Sequence, residues 1–315
     1  FLFFTPRVEV VTNVEPDHLD TYGTPAAFDA AFVSFAHCLA PSGLLVACAD
    51  DPGSLRLARR AAGDGLRVVT YGMVAVADLP GGRLVGEAHV QVHVVGRHSD
   101  GSDVELHPTT VQGPVSPVTL RLAVPGDHVA LDAAGAWCAG VELGTDPEAM
   151  ARGLGAFTGT GRRFEDRGEV AGVRVVDDYA HHPTEIEALL ATARRVADER
   201  GGRVLVLLQP HLFSRTRAFA DRFGAALRAA DSVVVTDVYP AREAAEDFPG
   251  VTGETVSLRI PDGRGRCVPD RLEAAHTVAH EARRGDLLLT VGAGDVTELA
   301  DVVLGDLRLR VPGTA

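Results

Sequence analysis

The densest group of titratable side chains in the sequence lies between Asp177 and Glu185. Two carboxylates, a phenol and two imidazoles follow the apolar run of residues 173–176 and precede a helical pattern. This order predicts a strand-to-helix turn, with Pro183 as the first helical residue and His182 as the last residue of the loop. Ligands collect at such turns, because the carboxyl end of a strand opens onto the crevice and the helix start offers free N–H groups. We therefore predict a site here, and a solvated turn with incidental histidines is the alternative.

A second polar loop follows an apolar run near the start of the chain. Residues 8–14 are mostly β-branched, and residues 15–20 then supply three carboxylates and the imidazole of His18. Such ligands suit Mg²⁺, which takes one or two protein carboxylates and keeps water or phosphate oxygens for the rest. The alternative is an acidic turn that caps the next helix, with Asp20 or Thr24 as the N-cap.

Two loops of the second half also carry polar side chains after predicted strands. Residues 209–217 include His211 and Arg215, and Ser214 is the expected N-cap of the helix that follows. Residues 292–294, Gly-Ala-Gly, precede the last helix and allow close approach of a ligand to the backbone. A lone Gly-x-Gly is weak evidence, but several polar loops on one edge of one sheet favour a binding site.

Paired arginines stand in a segment rich in glycine and threonine, residues 157–164. These glycine and threonine residues predict a domain boundary, with one domain at residues 1–157 and a second at 158–315. Guanidinium groups bind phosphate or carboxylate bidentately, so Arg162 and Arg163 are candidate phosphate ligands. Linker charges without a ligand are the alternative.

The composition of the chain argues against some classes of binding partner. The chain has 315 residues, a net charge of −13 and no lysine, which argues against binding to nucleic acid or to an anionic membrane surface. No segment approaches the roughly 20 apolar residues of a membrane span. Four scattered cysteines without a Cys-x-x-Cys pair are typical of reduced thiols in a cytoplasmic protein.

The hydrophobic pattern predicts an α/β fold class. In the second half, apolar runs at residues 173–178, 204–208, 233–238 and 287–291 alternate with helical patterns. Strands that are apolar throughout indicate a mostly parallel sheet covered on both faces, as in a Rossmann-like domain. In the first half an α/β run gives way after residue 83 to strict alternation, which predicts a small antiparallel sheet.

Taken together, these stretches resemble the Mur ligases, the ATP-dependent amide ligases of peptidoglycan precursor synthesis. The resemblance is carried by residues 12–23, 157–164, 177–185 and 209–217, with support from 237–243 and 292–295. It implies a truncated central ATP-binding domain followed by a complete C-terminal ligase domain in a cytoplasmic enzyme that uses ATP and Mg²⁺.

Within the family, Pro16 and Tyr179 favour the member that joins L-alanine to UDP-N-acetylmuramate through an acyl phosphate. The member that recycles murein tripeptide is the alternative inside the family. A non-catalytic nucleotide-binding α/β protein is the alternative outside it. The oligomeric state is left open by the sequence.

The resemblance also implies catalytic and nucleotide-binding residues. His18 matches the metal-site histidine of the family, and Arg163, with Arg162 beside it, matches the arginine pair that reaches the phosphates. Asp178 matches the aspartate that engages the nucleotide. His181 is implied as a further catalytic residue near the incoming amino acid.

Substrate-binding roles are implied for Tyr179, His211 and Arg215, which match positions around L-alanine and the product carboxylate. An arginine suits this task, because it pairs with the carboxylate while the amine is aimed. At the adenine site the family carries asparagines, and this chain has Val129 and Asp132 there. Asp132 is thus a candidate ATP-binding residue that lacks the donor of an amide.

The sequence departs from the family in a further respect. Without lysine it cannot contain the phosphate loop of Gly-x-x-Gly-Lys-Thr type. We therefore expect these 315 residues to be a fragment that is inactive by itself, and activity to need an N-terminal part.

Overall fold

The structure, a computed structural model, describes residues 2–16 and 19–310, without the side chains of residues 19 and 20. The predicted metal residue His18 lies outside the described residues. The chain forms two compact units, residues 1–158 and residues 159–315. Each unit is an α/β body with its own sheet and its own core, as the sequence predicted for the fold class.

Unit 1 is built on one mixed sheet. Its strands are β1 Val8–Val11, β2 Leu44–Cys48, β3 Arg67–Gly72, β4 Ala88–His98, β5 Gly101–Thr110, β6 Gly113–Pro114 and β7 Val118–Leu122. Its helices are α1 Leu19–Tyr22, α2 Pro25–Ala36, α3 Pro52–Gly63, α4 Asp127–Glu142 and α5 Pro147–Gly155. The first four strands are parallel in the order β1-β2-β3-β4, and β5 then pairs antiparallel with both β4 and β7.

The helices of unit 1 start where short polar side chains cap them. Thr24 accepts a hydrogen bond from the backbone N–H of Ala27 at 3.1 Å, as the alternative reading of the acidic loop expected. Asp51 does the same for Ser54 at 2.6 Å, and proline is the first helical residue in both helices. These caps satisfy donors that a helix cannot satisfy internally.

The core of unit 1 has two sides because β2 is buried on both faces. Leu44 and Val46 pack with α4, while Leu45 and Ala47 pack with α2 and α3. Each fully buried leucine contributes roughly 1.5–3 kcal/mol relative to an exposed one. The uninterrupted apolar run of the sequence is thus the signature of a strand covered twice.

Unit 2 contains the second sheet and four long helices. Its strands are β8 Glu165–Val170, β9 Val173–Asp178, β10 Val204–Leu208, β11 Ser232–Val235, β12 Gly265–Cys267 and β13 Leu287–Val291. Its helices are α6 Pro183–Glu199, α7 Phe213–Leu227, α8 Glu254–Ser257, α9 Arg271–Glu281 and α10 Leu299–Leu309. The strand order is β12-β11-β10-β13-β9-β8, and only the β8–β9 pair is antiparallel.

The mostly parallel sheet predicted for the second half is confirmed. Along β10 the side chains alternate between two clusters: Val204, Val206 and Leu208 pack with α6 and α7, while Leu205 and Leu207 pack with α9 and α10. The sheet therefore has helices on both faces, as a Rossmann-like domain requires.

The structure differs from the prediction at two places. The antiparallel pairing predicted for the first half is present between β4, β5 and β7, but these strands are part of the main sheet because β4 pairs in parallel with β3. Sequence reasoning also missed β8, whose residues Glu165–Val170 are mostly polar and therefore lack the apolar alternation of a strand. Among the described residues, none of the helices combines the length and the apolar character needed to cross a bilayer.

Candidate active site

The polar loops of unit 2 meet at one edge because the strands that precede them are neighbours. The parallel strands β10, β13 and β9 are adjacent, so their carboxyl ends bring residues 177–182, 209–212 and 292–295 to the same edge. A backbone bridge between His211 and Tyr239 adds the loop after β11. The sequence expectation of several polar loops along one sheet edge matches this arrangement.

Asp177 is the buried anchor of the edge. It is fully buried at the end of β9 and accepts hydrogen bonds from the hydroxyls of Thr290 at 2.5 Å and Thr297 at 2.8 Å. The Nε atom of Arg162 donates at 3.2 Å to Oδ2, the oxygen that also accepts from Thr297, and the guanidinium donates to the carbonyl of Gly292 at 2.5 Å. Arg162 is therefore held against the strand ends by its own unit, and sequence reasoning missed this role of Asp177.

Asp178 connects the segment of Arg162 and Arg163 to the end of β9 through hydrogen bonds. Its two carboxylate oxygens accept the backbone N–H groups of Phe164 and Ala180, each at 2.8 Å. Arg162 and Phe164 have φ values of 60° and 47°, so the turn runs through the left-handed region that non-glycine residues seldom adopt. Burial raises the pKa of Asp178 to about 6, and the two N–H donors and Arg163 act against that rise. The carboxylate thus stabilises the strained turn on which Arg163 lies.

Tyr179 lies beneath both arginines. The guanidinium carbon of Arg162 is 4.8 Å and that of Arg163 is 5.3 Å from the centre of the Tyr179 ring. The Arg163 side chain is 52% exposed, and its ion pair with Glu185 is long, at 3.9 Å. Stacking on a ring face orients a guanidinium while leaving its N–H groups for a ligand. Arg163 is hence placed to bind an anion.

The start of α6 fixes the orientation of His181. The Glu185 carboxylate accepts the backbone N–H groups of His181 at 2.8 Å and of His182 at 3.1 Å, and Pro183 is the first helical residue as predicted. The Nδ1 atom of His181 lies 2.9 Å from the Tyr179 carbonyl oxygen. A carbonyl only accepts, so Nδ1 carries a hydrogen, and in the neutral imidazole Nε2 is then the atom with the lone pair.

His211 lies beside His181 and Arg215. The His211 ring stacks on Tyr239 with centroids 5.6 Å apart, and its centroid is 5.9 Å from that of His181. The Nη1 atom of Arg215, a residue only 5% exposed, lies 3.5 Å from its Nδ1. Burial, then the positive charge of Arg215, lowers the pKa of His211 to about 4, so the imidazole is neutral near pH 7.

Gly294 permits the tight packing of the last loop. A Cβ atom there would lie 2.3 Å from Oε1 of Gln209 and 2.7 Å from the Tyr239 ring. Gln209 in turn donates to Asp295 at 2.7 Å and accepts from the N–H of Val296 at 3.2 Å. In this structure the close approach expected at the Gly-Ala-Gly segment is made by neighbouring side chains.

The cap of α7 corrects a prediction. Ser214 is not the N-cap, because the helix begins at Phe213 and Leu212 occupies the cap position with a φ of 69°. The backbone N–H of Ser214 donates instead to the Glu243 carboxylate at 3.0 Å. A carboxylate from a distant loop replaces the expected local cap, and Arg215 is the third residue of α7 rather than the first.

Asp132, the candidate for ATP binding, lies in unit 1 on α4, where it is exposed. Gly126 precedes this helix with a φ of 129°, and Asp127 at its first turn forms a bidentate ion pair with Arg97 at 2.9 Å. The glycine turn before α4 is therefore present as predicted, and its first carboxylate is already paired.

Sequence reasoning left Glu185, Tyr239 and Glu243 without roles at this edge. A signal existed for Glu185, since a glutamate at the third helical position after a loop residue is typical of a capping box. Nothing local marks Tyr239, because its contact with His211 depends on the pairing of two loops that are far apart in sequence.

Comparison with known proteins gives the family. Residues 2–140 match the Mur ligase middle domain, and residues 162–294 match the Mur ligase, glutamate ligase domain. The UDP-N-acetylmuramate–L-alanine ligase of Kineococcus radiotolerans is 56% identical over 312 residues, which are 98% of this chain and 62% of that protein. The chain thus spans about three fifths of the length of this relative.

Solved structures agree with that assignment. The UDP-N-acetylmuramate–alanine ligase MurC from Thermotoga maritima superimposes with a TM-score of 0.68 at 25% identity, over 96% of this chain and 60% of that one. MurF from Thermotoga maritima, solved in complex with ADP, gives 0.68 at 18% identity over 98% of this chain and 64% of that one, which shows a shared fold. The chain belongs to the Mur ligase family.

Proposed function

We propose that the protein carrying this chain is the cytoplasmic, ATP-dependent ligase that joins L-alanine to UDP-N-acetylmuramate in peptidoglycan precursor synthesis. The names of its relatives support this substrate pair. The observation that carries the proposal is the grouping of the His181, His211 and Arg215 side chains at the carboxyl edge of the unit 2 sheet.

This grouping fits a free amino acid. The Arg215 guanidinium is charged in a buried setting, where a carboxylate of the substrate offers a charge-assisted partner. The Nε2 lone pair of His181 suits the amino group, which must lose a proton before it attacks. His211, neutral and stacked on Tyr239, adds no second positive charge near the amine.

The reaction of this family defines what these residues have to do. The muramyl carboxylate attacks the γ-phosphorus of ATP, which gives an acyl phosphate and ADP. The neutral amine of L-alanine then attacks the acyl carbon. The C–O bond to phosphate breaks as the amide forms, and the nitrogen loses one further proton and keeps one as the amide N–H. Such chemistry depends mainly on positioning and on charge neutralisation.

Nucleotide phosphates are the proposed ligands of Arg163. Its guanidinium is half exposed, oriented by Tyr179 and held on a turn that Asp178 fastens. Arg162 supports the same turn and is largely engaged by Asp177 and Gly292. We propose that Asp178 acts chiefly by positioning Arg163, and that Asp132 of unit 1 stands at the adenine-binding position.

Mg²⁺ would supply charge neutralisation at the phosphates when bound. The candidate ligand is His18, which is outside the described residues, and Glu15 is half-buried in the loop before it. An imidazole beside carboxylates suits a divalent cation that also binds phosphate.

Phosphate release by the full-length protein tests the proposal. With ATP, Mg²⁺ and UDP-N-acetylmuramate we expect release that depends on L-alanine and does not occur when murein tripeptide replaces it. Release that is indifferent to L-alanine, or that requires the tripeptide, would overturn the assignment of the substrate.

A matched pair of arginine variants tests the site. Arg215→Ala should raise the KM for L-alanine by at least about 100-fold, because a buried charge-assisted pair is lost. Arg217→Ala, on the exposed side of the same helix, should leave KM within about twofold, since its guanidinium is exposed and stacks on Phe248. Equal KM values in the two variants would refute the role of Arg215.

A further inference from the structure

Three metal-ligating side chains of unit 1 converge, and none of them has a role in the proposed ligase site. His93 of β4 and Glu105 and His107 of β5 present ligand atoms that all lie within 4.8 Å of one another. The Nε2 atom of His107 is 3.0 Å from a carboxylate oxygen of Glu105, and the rings of His93 and His107 stack with centroids 4.4 Å apart. Among the described residues it is the one such group of three or more.

The register of the hairpin produces this convergence. His93 stands directly opposite Glu105 in the antiparallel pair, and His107 is two residues further along β5. Side chains two apart on a strand share a face, so all three point to the same side of the sheet. That side is opposite to the face on which Val92 and Leu106 pack with α4. The positions of the ligands are therefore set by the ladder of backbone hydrogen bonds.

The donor set defines the kind of ion. Two imidazoles and one carboxylate suit Zn²⁺ and related divalent transition metals rather than Mg²⁺, which prefers oxygen ligands. Ligand atoms around tetrahedral zinc are about 3.3 Å apart, given bond lengths of 2.0–2.2 Å. His93 is exposed and the other two are half-buried, so small side-chain rotations suffice to reach that spacing.

We propose that His93, Glu105 and His107 form a binding site for a divalent transition metal of the zinc type. The site has three protein ligands and an open fourth position for water. A bound ion cross-links the two longest strands of unit 1 and stabilises the folded unit by mass action. The proposal is independent of the function assigned to unit 2.

A titration of the full-length protein with Zn²⁺, monitored by calorimetry, tests the site. The unmodified protein should take up one more equivalent of Zn²⁺ at micromolar free metal than either His93→Ala or His107→Ala, with the dissociation constant of that equivalent raised at least about tenfold in the variants. A hundredfold excess of Zn²⁺ over the dissociation constant should raise Tm by about 5 °C, and the variants should lose this rise.

His98→Ala is the matched control. His98 lies on the same strand and pairs with Asp103 at 2.9 Å, but Arg121 is 3.3 Å from that carboxylate and there is no second imidazole in the pair. This variant should bind zinc like the unmodified protein. Co²⁺ should give the visible absorption bands of a tetrahedral site in the unmodified protein and in His98→Ala, and not in His93→Ala.

Two results would overturn the proposal. One is uptake of zinc by His93→Ala and His107→Ala with unchanged stoichiometry and affinity, which would place the metal elsewhere. The other is the absence of any equivalent sensitive to His93 at micromolar zinc. His93→Ala is at an exposed position, so its Tm without metal should match that of the unmodified protein and any loss of binding is not a loss of folding.

Discussion

The two units treat buried carboxylates in opposite ways. In unit 2, Asp177 and Asp178 are buried at the end of β9, and every oxygen accepts hydrogen bonds from hydroxyls, a guanidinium or backbone N–H groups. In unit 1, Glu9 is buried in the middle of β1, and neither of its oxygens has a hydrogen-bond partner among the described residues.

This contrast shows what a carboxylate needs in order to keep its hydrogen bonds inside a protein. Asp177 exchanges water for three groups of unit 2, the side chains of Arg162, Thr290 and Thr297, so its burial organises the site edge. Glu9 has lost water without such compensation, and burial raises its pKa to about 7. A buried carboxylate therefore marks an organised site only when the fold supplies the donors.

The largest effect is expected at Asp177. Asp177→Ala removes the partner of Arg162 and leaves Thr290 and Thr297 without their acceptor, so the free energy of unfolding of unit 2 should fall by about 3 kcal/mol. Urea denaturation measures this. Asp198→Ala, which breaks an exposed pair with Arg194 at 3.6 Å, is the control and should cost less than about 0.5 kcal/mol. Similar costs for both variants would mean that the buried hydrogen bonds of Asp177 stabilise unit 2 no more than an exposed ion pair does.

Substitution of Glu9 should raise the free energy of unfolding, whereas substitution of Asp177 should lower it. Glu9→Met keeps the volume and removes the uncompensated carboxylate, so unit 1 should gain about 1–2 kcal/mol of unfolding free energy at pH 8. Glu9→Gln should gain less, because an amide without partners remains buried.

The pH dependence sharpens this test. The folded pKa of Glu9, about 7, lies above the ordinary value of 4.5, so the unmodified protein gains stability as pH falls from 7 towards 4.5. Met lacks this dependence, and its advantage should shrink in the same window. A gain that stays constant from pH 8 to pH 5 would mean that Glu9 is not the group that titrates.

The smallest effect is expected at Asp178. Asp178→Asn keeps one acceptor for a backbone N–H and turns a donor towards the other, which should cost unit 2 about 1 kcal/mol. Relief of the buried charge offsets part of the loss. Thermal unfolding measures the cost, and slower phosphate release by the full-length variant should accompany it. A cost as large as that of Asp177→Ala would assign Asp178 to the core of the edge rather than to its turn.

Much of the fold is readable from the sequence, and particular residues show why. Pro183 predicted the first turn of α6 because its fixed φ suits that position and its missing N–H costs nothing there. The apolar runs predicted strands covered on both faces. Those signals depend only on residues that are neighbours in the sequence, so they can be recognised without knowledge of the fold.

The cap of α7 and the position of Glu9 show where local signals fail. Ser214 has a good cap side chain, yet Glu243 from a distant loop displaced it. Glu9 stands between Val8 and Val10 like an outward residue of a half-buried strand, but β1 is covered on that face and Glu9 is buried opposite Leu45. The roles of the candidate site residues stay predictions. His18 in particular lies outside the described residues.

The sequence by itself determined the α/β class, the polar loops after the strands and the resemblance to the Mur ligases, because periodicity, turn residues and motifs are properties of neighbours in the chain. Only the tertiary structure decided that Asp177 holds Arg162 while the adjacent Asp178 holds the turn, and that His211 lies beside Arg215 and Tyr239. The physical reason is that burial and hydrogen-bond donors, which set the charge and the task of each group, come from strands and loops distant in sequence.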